Sequence, residues 1–249
     1  MKKVALITGG GKGIGYDVAR AFAKENYNLV ITGRTQKTLE DTAKEINKEF
    51  KVDVLQIVAD GGIEKDIKNV LEQVKSKFGR LDVLINNAQA SKSGLTIEQH
   101  TKEDFDLAIN SGLYAVFFYM RECLELLKES KGSVINFASG AGLSGRFGQS
   151  SYAAAKEGIR GLSRVAATEW GQYGININVV CPLVMTEQLA AWKEQFPDAY
   201  EKNIQGIPMG RFGDGEKEIG GICLFLASPA AKYISGETIT AQGGSGLRP

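Results

Sequence analysis

The sequence predicts an α/β fold in which a doubly wound parallel sheet is covered by helices on both faces. Near-continuous apolar runs rich in β-branched residues recur along the 249 residues, at 4–8, 28–32, 54–59, 81–86, 133–138, 175–181 and 237–240. Continuous runs of this kind are typical of parallel strands that are buried on both faces. Segments with apolar residues on one helical face separate the early runs, and such alternation favours a parallel sheet. We therefore expect about seven parallel strands in a single domain.

Helices are predicted in the gaps between these runs. Apolar residues recur at the 3.6-residue period of a helix within 18–23, 39–50 and 67–78. A longer helix rich in Ala, Leu and Phe is expected from about 102 to 129, and another follows Tyr152. These segments supply the crossover connections that parallel strands require.

One late stretch breaks the alternation of strand and helix. No strand pattern occurs between Cys181 and Gly220, and residues 186–203 are instead aromatic and charged. A long insertion after a late strand lies at the carboxyl edge of the sheet, where a lid over a bound ligand can form. We expect a substrate lid at about 184–214, with a pair of surface helices that have no gating role as the alternative.

The composition argues against several classes of protein. The chain carries 30 Lys and Arg against 29 Asp and Glu, so it has no basic excess for binding nucleic acid or an anionic membrane. Its 3 cysteines are far apart and its only histidine is His100, so neither a disulfide framework nor a metal site is expected. His100 is expected to be solvated near the start of a helix. The apolar run at 4–8 is too short for a signal peptide or a spanning helix, which favours a cytoplasmic protein.

A glycine-rich turn follows the first predicted strand directly. Residues 8–15 have the sequence TGGGKGIG and lead into the first predicted helix. Glycines there permit a tight turn and the close approach of a pyrophosphate, and the N–H groups that begin a helix bind such an anion. The pattern indicates a Rossmann-type dinucleotide site. The predicted contacts within the turn are Gly9, Gly11, Lys12, Gly13 and Gly15.

The residues that follow the second predicted strand indicate which dinucleotide binds. An acidic residue at that point would bind the 2′-hydroxyl of the adenosine ribose, whereas an arginine matches a 2′-phosphate. The sequence has Arg34 there, and Thr35 offers a hydroxyl beside it. Lys12 adds a second positive charge within reach of the same group. We therefore expect NADP(H) rather than NAD(H).

Tyr152 and Lys156 are the candidate catalytic pair. They are four residues apart, so on a helix they share a face. A free tyrosine has a pKa of about 10 and is a poor base at neutral pH, but a neighbouring ammonium would stabilise its phenolate. Tyr152 would then exchange a proton with an alcohol or carbonyl oxygen. Ser139 would orient that oxygen, because it ends the fifth predicted strand and ligands bind at the carboxyl ends of parallel strands.

The sequence resembles the short-chain dehydrogenase/reductase family over nearly its whole length. The resemblance is carried by the TGxxxGIG turn at 8–15 and by Ser139, which lies 13 residues before the tyrosine of the YxxxK pair. It implies hydride transfer between a nicotinamide and a secondary alcohol or ketone. It also implies a homotetramer joined through long helices, with a dimer as the alternative.

The resemblance assigns further roles to single residues. Asn110 matches an asparagine that supports a proton relay from the catalytic lysine. Asp60 matches an acid that binds the adenine amine, although Gly61 and Gly62 follow where the family has an apolar residue. The remaining implied cofactor contacts are Ile14, Asn87, Ala88, Tyr152, Lys156, Pro182 and Thr186.

Two positions depart from the family pattern. Gln89 replaces the glycine of the family's NNAG sequence, and Leu183 replaces the glycine that follows Pro182. These departures resemble a subgroup, the bacterial NADP-dependent hydroxysteroid dehydrogenases that act on bile acids, and the 12α-acting enzymes most of all. The longer runs that share this resemblance are 86–91, 111–123, 151–170 and 244–249. The subgroup implies a bile acid or steroid as substrate.

A steroid requires an apolar cleft, which we expect beside Tyr152. The predicted substrate contacts are Gln89, Leu143, Leu183, Met185 and Trp192, with Phe147, Leu189 and Phe196 as further apolar candidates. Either Arg146 or Lys193 would meet the carboxylate of a bile acid.

Two alternative functions stay open. A 3-oxoacyl-carrier-protein reductase would use the same catalytic residues, but it needs a basic patch for its acidic carrier, and no strongly basic helix is evident. A redox sensor that binds NADP without catalysis would be expected to lack Tyr152 or Lys156, and both are present.

Overall fold

The computed structural model describes residues 1–245, except for the side chains of Glu187 and Gln188. Seven strands form one parallel sheet: β1 (Val4–Thr8), β2 (Asn28–Gly33), β3 (Val54–Val58), β4 (Val83–Asn86), β5 (Ser133–Phe137), β6 (Asn176–Pro182) and β7 (Thr238–Ala241). Their order across the sheet is β3-β2-β1-β4-β5-β6-β7, which confirms the predicted doubly wound fold. Residues 246–249, the end of the run at 244–249, lie outside the described part.

Helices cover both faces of this sheet. They are α1 (Gly13–Lys24), α2 (Gln36–Phe50), α3 (Glu64–Phe78), α4 (Lys102–Ala108), α5 (Ala115–Ser130), α6 (Gly140–Ser144), α7 (Ser150–Trp170), α8 (Glu187–Gln195), α9 (Pro197–Gln205) and α10 (Gly221–Leu226). One core joins α1, α2 and α10 to the sheet, and a second core joins α3, α5 and α7 to its other face. No helix within residues 1–245 is long and apolar enough to cross a lipid bilayer.

The direction of winding reverses between β1 and β4. Ile7 of β1 pairs with Ile31 of β2 on one side and with Ile85 of β4 on the other. The chain leaves β1 towards one edge of the sheet and later leaves β4 towards the opposite edge. The connections therefore diverge at the carboxyl ends of β1 and β4, and a crevice for a ligand opens there.

The prediction of one continuous helix at 102–129 is wrong, because the segment is interrupted. A π-helical turn, Ile109–Tyr114, separates α4 from α5. A π turn spans one more residue than an α turn, and such turns often occur at functional sites. Residues before and after this turn therefore differ in rotation from those of a continuous α-helix.

The late stretch between β6 and α10 folds into two short helices. α8 and α9 meet at Phe196, and Pro197 begins α9. The two ends of the stretch are held together by a bridge between Val184 and Gly213, in which Gly213 N–H donates to the Leu183 carbonyl at 3.0 Å. The stretch is therefore anchored at its base, on the carboxyl side of the sheet.

Candidate active site

The glycine turn connects β1 to α1 at the crevice. Gly9 has a φ of +68°, which side chains rarely adopt, and its N–H donates to the Thr32 carbonyl at 2.8 Å. A Cβ at Gly15 would lie 2.2 Å from the carbonyl oxygen of Gly9, so the turn can close against the helix only without a side chain there. The backbone at the start of α1 is consequently open to a ligand.

A cleft of about 590 Å³ runs along the carboxyl ends of the strands from this turn. Its volume is in the range of ligand pockets. The predicted residues that line it are Gly9, Lys12, Gly13, Ile14, Arg34, Asp60, Asn87, Ala88, Gln89, Tyr152, Lys156, Pro182 and Thr186. These residues come from six separate segments of the chain, and the structure brings them together in one cleft.

Three predicted cofactor contacts are not among the residues that line the cleft. Gly15 supports the turn from behind. A Cβ at Gly11 would lie 3.2 Å from the Leu39 side chain, so Gly11 faces α2. Thr35 is exposed where α2 begins, and its side chain makes no capping bond.

Arg34 and Lys12 flank the outer part of the cleft. Both side chains are exposed, and neither forms an ion pair with any residue in the part of the chain that the structure describes. Two cations beside a helix N-terminus form a favourable site for a phosphate group. Asp60 lies further along the cleft, where its Oδ1 accepts a hydrogen bond from Gly62 N–H at 2.9 Å.

Thr8 ties the two central strands together, a role that the sequence analysis missed. Its hydroxyl oxygen accepts from the N–H groups of Asn87 and Ala88, both at 3.0 Å. The Asn87 side-chain amide in turn donates to the Thr8 carbonyl at 3.0 Å. In the sequence, this role was indicated only by a hydroxyl residue at the end of the first predicted strand. These bonds fix the walls of the crevice at the point where the winding reverses.

Ser139, Tyr152 and Lys156 meet at the end of β5. Ser139 caps α6, where its Oγ accepts from Ala141 N–H at 3.2 Å, and its hydroxyl is also hydrogen-bonded to Tyr152. Tyr152 lies in the first turn of α7. Lys156 lies one turn later and is buried, with its Nζ donating to the Phe137 carbonyl at 2.7 Å.

The surroundings of Tyr152 and Lys156 shift both pKa values. Burial raises the pKa of Tyr152, while the hydrogen bond from Ser139 and the positive charge of Arg146 lower it in part. Burial lowers the pKa of Lys156 to about 8. The Lys156 ammonium lies over the Tyr152 ring, 5.5 Å from its centroid.

Asn110 lies in the π turn and is not among the residues that line the cleft, and its role in a proton relay stays a prediction. Its side chain is exposed beside the Asp60 loop, and a Cβ at Gly62 would lie 3.5 Å from Asn110 Cβ. The next residue, Ser111, lines the cleft instead. Its Oγ accepts from Ala90 N–H at 3.0 Å and lies 2.6 Å from the Leu107 carbonyl, to which its O–H donates. Both residues belong to the π turn, which carries this part of the chain past the cleft.

Gln89 points into the bend formed by this π turn. A Cβ at Gly112 would lie 2.8 Å from the Gln89 amide carbon, so only glycine leaves room for this side chain. Both amide atoms of Gln89 are buried, and neither has a hydrogen-bond partner among the residues described. A buried amide without partners is costly, so a water or a ligand in the cleft is needed to satisfy it.

The predicted substrate residues are not all equivalent. Leu143 packs against Ala138, Val179 and Cys181 in a small third core, so it contributes mainly to packing. Trp192 is half-buried, and its ring lies tilted against that of Phe196, with ring centroids 6.2 Å apart. Leu183 and Met185 lie at the base of the late stretch.

His100 is not the solvated residue that was expected. Its Nδ1 lies 3.2 Å from both the Thr96 carbonyl and Ser150 Oγ. Its Nε2 lies 3.2 Å from the Lys92 carbonyl and 3.3 Å from Ser151 Oγ. The imidazole therefore joins the loop after β4 to the first turn of α7, directly before Tyr152. The signal was present as two capping boxes, at Thr96 and Thr101, on either side of the histidine.

The sequence is similar to families of known reductases. Residues 9–245 match the family model described as enoyl-(acyl carrier protein) reductase. The chain is 59% identical over 253 aligned positions to a 12alpha-hydroxysteroid dehydrogenase of Clostridium sp., with 99% of this chain and 98% of that protein covered. It is 34% identical over 246 positions to a 3-oxoacyl-(acyl-carrier-protein) reductase of Staphylococcus epidermidis, with 98% and 99% covered.

Solved structures of similar enzymes share the fold over their full length. Levodione reductase superposes with a TM-score of 0.90 at 32% identity, covering 98% of this chain and 97% of that one. The L-sorbose reductase of Gluconobacter frateurii, complexed with NADPH and L-sorbose, superposes with a TM-score of 0.93 at 27% identity, covering 100% and 98%.

Proposed function

The chain belongs to the short-chain dehydrogenase/reductase family, and we propose that it interconverts a hydroxyl and a ketone on a bile acid or related steroid, as a 12α-hydroxysteroid dehydrogenase does. It is an oxidoreductase acting on CH–OH groups. The observation that carries the proposal is that Tyr152 and Lys156 line the glycine-turn cleft, with Ser139 beside Tyr152. The relative that is 59% identical supports the steroid as substrate class.

The cofactor is NADP(H), which supplies or accepts the hydride when bound. The residues of the cleft fit this group, because the glycine turn offers open backbone N–H groups and Lys12 and Arg34 offer two uncommitted cations. We assign these two cations to the 2′-phosphate. Asp60 and Asn87 line the same cleft and would contact the rest of the dinucleotide.

Tyr152 is the proposed general acid and base. In reduction, its hydroxyl gives a proton to the carbonyl oxygen of the substrate, and in oxidation its phenolate takes the proton of the alcohol. Ser139 donates a hydrogen bond to the same oxygen and orients it. The Lys156 ammonium donates one hydrogen bond to the Phe137 carbonyl, and its remaining N–H groups would bind a cofactor ribose. Its positive charge supports the phenolate.

The substrate side of the site is proposed to be formed by Gln89, Leu183, Met185 and Trp192. The late stretch at about 184–214 would act as a lid, since it is anchored at its base and carries aromatic side chains above. A homotetramer, or alternatively a dimer, is part of the proposal. Apolar side chains that remain exposed on α5 and α7, at Phe117 and Val165, support such an assembly.

A cytoplasmic location is also part of the proposal. Cys123, Cys181 and Cys223 are all buried, and none of them forms a disulfide within residues 1–245. Thiols without disulfides are typical of reducing compartments.

A panel of substrates tests the proposed function. The wild type would be assayed for NADPH- and NADH-linked reduction of 3-oxo, 7-oxo and 12-oxo bile acids and of a 3-oxoacyl thioester. We expect turnover of the 12-oxo acid with a clear preference for NADPH. Turnover of the thioester without any steroid would instead identify a 3-oxoacyl reductase, and a preference for NADH would reject the roles of Arg34 and Lys12.

A further inference from the structure

A second cavity, of about 510 Å³, lies beside the catalytic tyrosine and apart from the glycine-turn cleft. It is formed between the loop at 95–98 and the loop at 145–150, and it reaches Ala153 on the first turn of α7. The loops are joined by a hydrogen bond from Gly94 N–H to the Gly148 carbonyl at 2.7 Å and by a bridge between Leu95 and Gln149. We call it the loop cavity.

The walls of the loop cavity combine apolar side chains with one cation. Leu95, Ile97 and Phe147 line it, and the last two are 78% and 82% exposed. Large apolar side chains left this open are unfavourable in water and are typical of a surface that a ligand covers. Arg146 lies in the same wall and forms no ion pair or side-chain hydrogen bond with the residues described.

Arg146 acts electrostatically on the catalytic tyrosine. The guanidinium is close enough for its charge to lower the pKa of the Tyr152 phenol. Glu98 is the opposing charge in the cavity, and hydrogen bonds from a backbone N–H and the Thr96 hydroxyl hold its pKa below the usual range. Glu98 and Arg146 are not paired, so an anion beside Arg146 competes with no ion-pair partner from residues 1–245.

The sequence offered two basic residues, Arg146 and Lys193, as partners of the bile-acid carboxylate, and the structure distinguishes them. Lys193 lies on α8, where its ammonium is 4.8 Å from the centre of the Tyr200 ring. It is therefore engaged within the late stretch. Arg146 lines the loop cavity, and its charge acts on the Tyr152 phenol.

We propose that the loop cavity binds the acidic side chain of the steroid, with Arg146 on its carboxylate and Ile97 and Phe147 on its apolar part. This inference rests on the proposed function and adds regiochemistry to it. In a bile acid, carbons C12 and C17 are both bonded to C13, and the acidic side chain begins at C17. An anion site near Tyr152 therefore brings C12 to the catalytic hydroxyl, whereas C3 lies at the opposite end of the ring system.

The test compares a 12-oxo bile acid with its methyl ester in the wild type, Arg146→Gln and Arg146→Lys. For the wild type we expect a KM about 10-fold lower for the acid than for the ester, as for one charge-assisted hydrogen bond in a partly open site. Arg146→Gln should remove most of this ratio by raising the KM of the acid. Arg146→Lys should restore part of it, because it keeps the charge but not the planar fork.

Two control variants show whether the carboxylate is bound by Arg146 or by a different charge. Lys193→Gln removes the second candidate cation and should leave the acid-to-ester ratio at the wild-type value. Glu98→Gln removes the opposing charge and should increase the ratio. Arg146→Gln should also move the oxidative pH profile to higher pH, because the charge that lowers the Tyr152 pKa is lost.

The outcomes distinguish failure of the loop-cavity site from failure of the proposed function. Equal KM values for acid and ester in the wild type, or a ratio abolished by Lys193→Gln but not by Arg146→Gln, would overturn the loop-cavity site while leaving the enzyme a steroid oxidoreductase. Absence of turnover with every oxo-steroid would reject the proposed function, and the loop-cavity site with it.

Discussion

The cofactor side and the substrate side of this active site are built in different ways. The cofactor side consists of strand ends and the turns that follow them, and Thr8 and Asn87 link its two central strands through hydrogen bonds of 3.0 Å. The substrate side consists of loops and short helices whose aromatic side chains, such as Phe147 and Phe196, remain exposed. The first is held in position by hydrogen bonds within the protein. The second is a set of apolar walls that becomes favourable only when a ligand covers it.

Tyr152 lies where the two sides meet, and its replacement is expected to have the largest effect. Tyr152→Phe removes the proton donor while keeping the ring, so kcat should fall by about 100- to 10,000-fold. The dissociation constant for NADPH, measured by fluorescence titration, should change little. Retention of most activity would show that another group carries the proton, and a lost affinity for NADPH would show that the hydroxyl belongs to the cofactor side.

Lys156 places a buried positive charge on the cofactor side, and this charge lowers the free energy of unfolding. Its pKa falls from 10.5 to about 8 on burial, which corresponds to about 3 kcal/mol of destabilisation at neutral pH. The unfolded chain binds this proton more tightly, so the penalty is full below about pH 8 and fades as the pH rises towards 10.5.

Lys156→Met removes this dependence. The free energy of unfolding of the wild type should therefore rise relative to Lys156→Met as the pH increases from 8 to 10. Urea unfolding of both proteins at several pH values measures it. A difference between the two proteins that stays constant over this range would mean that the ammonium is not destabilised by burial.

Gln89 and Gly112 form the contact between the cleft and the π turn. Gly112→Ala should destabilise the protein by about 1–3 kcal/mol, because the new Cβ would overlap the Gln89 amide. In the Gln89→Ala background the same change should cost much less, which a double-mutant cycle in urea detects. Additive effects in that cycle would place the strain of Gly112→Ala elsewhere.

His100 tests whether the loops of the substrate side are positioned independently of the cofactor. His100→Ala should raise the KM for substrate about fivefold, as for one hydrogen bond, with little change in kcat or in the KM for NADPH. His100→Gln can keep a bond to one carbonyl or one serine and should recover part of the loss. Equal effects of the two variants on stability alone, with KM unchanged, would make the imidazole a purely structural contact.

The cofactor side could be predicted from sequence because its chemistry follows the backbone. The strand β1 was predicted with its correct bounds, and a glycine turn after a strand has one main use. β4 begins at Val83 rather than at 81, and the Asp82 carboxylate before it accepts from Val4 N–H at 2.8 Å. Such a bond joins residues far apart in the chain and leaves no local pattern.

The π turn left no local pattern either. The buried positions Ala108, Gly112 and Val116 are each four residues apart, which is also the spacing of an α-helix. The apolar period therefore predicted one helix, and the contribution of Ser111 to the cleft was not predicted. Contacts of the substrate side, such as those of His100, depend on two loops meeting in space, and only the fold brings them together.

The π turn also makes the cleft sensitive to the deletion of a single residue. The turn Ile109–Tyr114 holds one residue more than an α-helix needs over the same path. Deletion of a single residue there would convert the turn to α-helix and flatten the local bulge, while α4 and α5 keep their orientation. Ser111 would then lose its bond to Ala90, and Gln89 would lose the space that Gly112 leaves. A gap of one residue between relatives at this point would thus reshape the cleft while every residue type that lines it was retained.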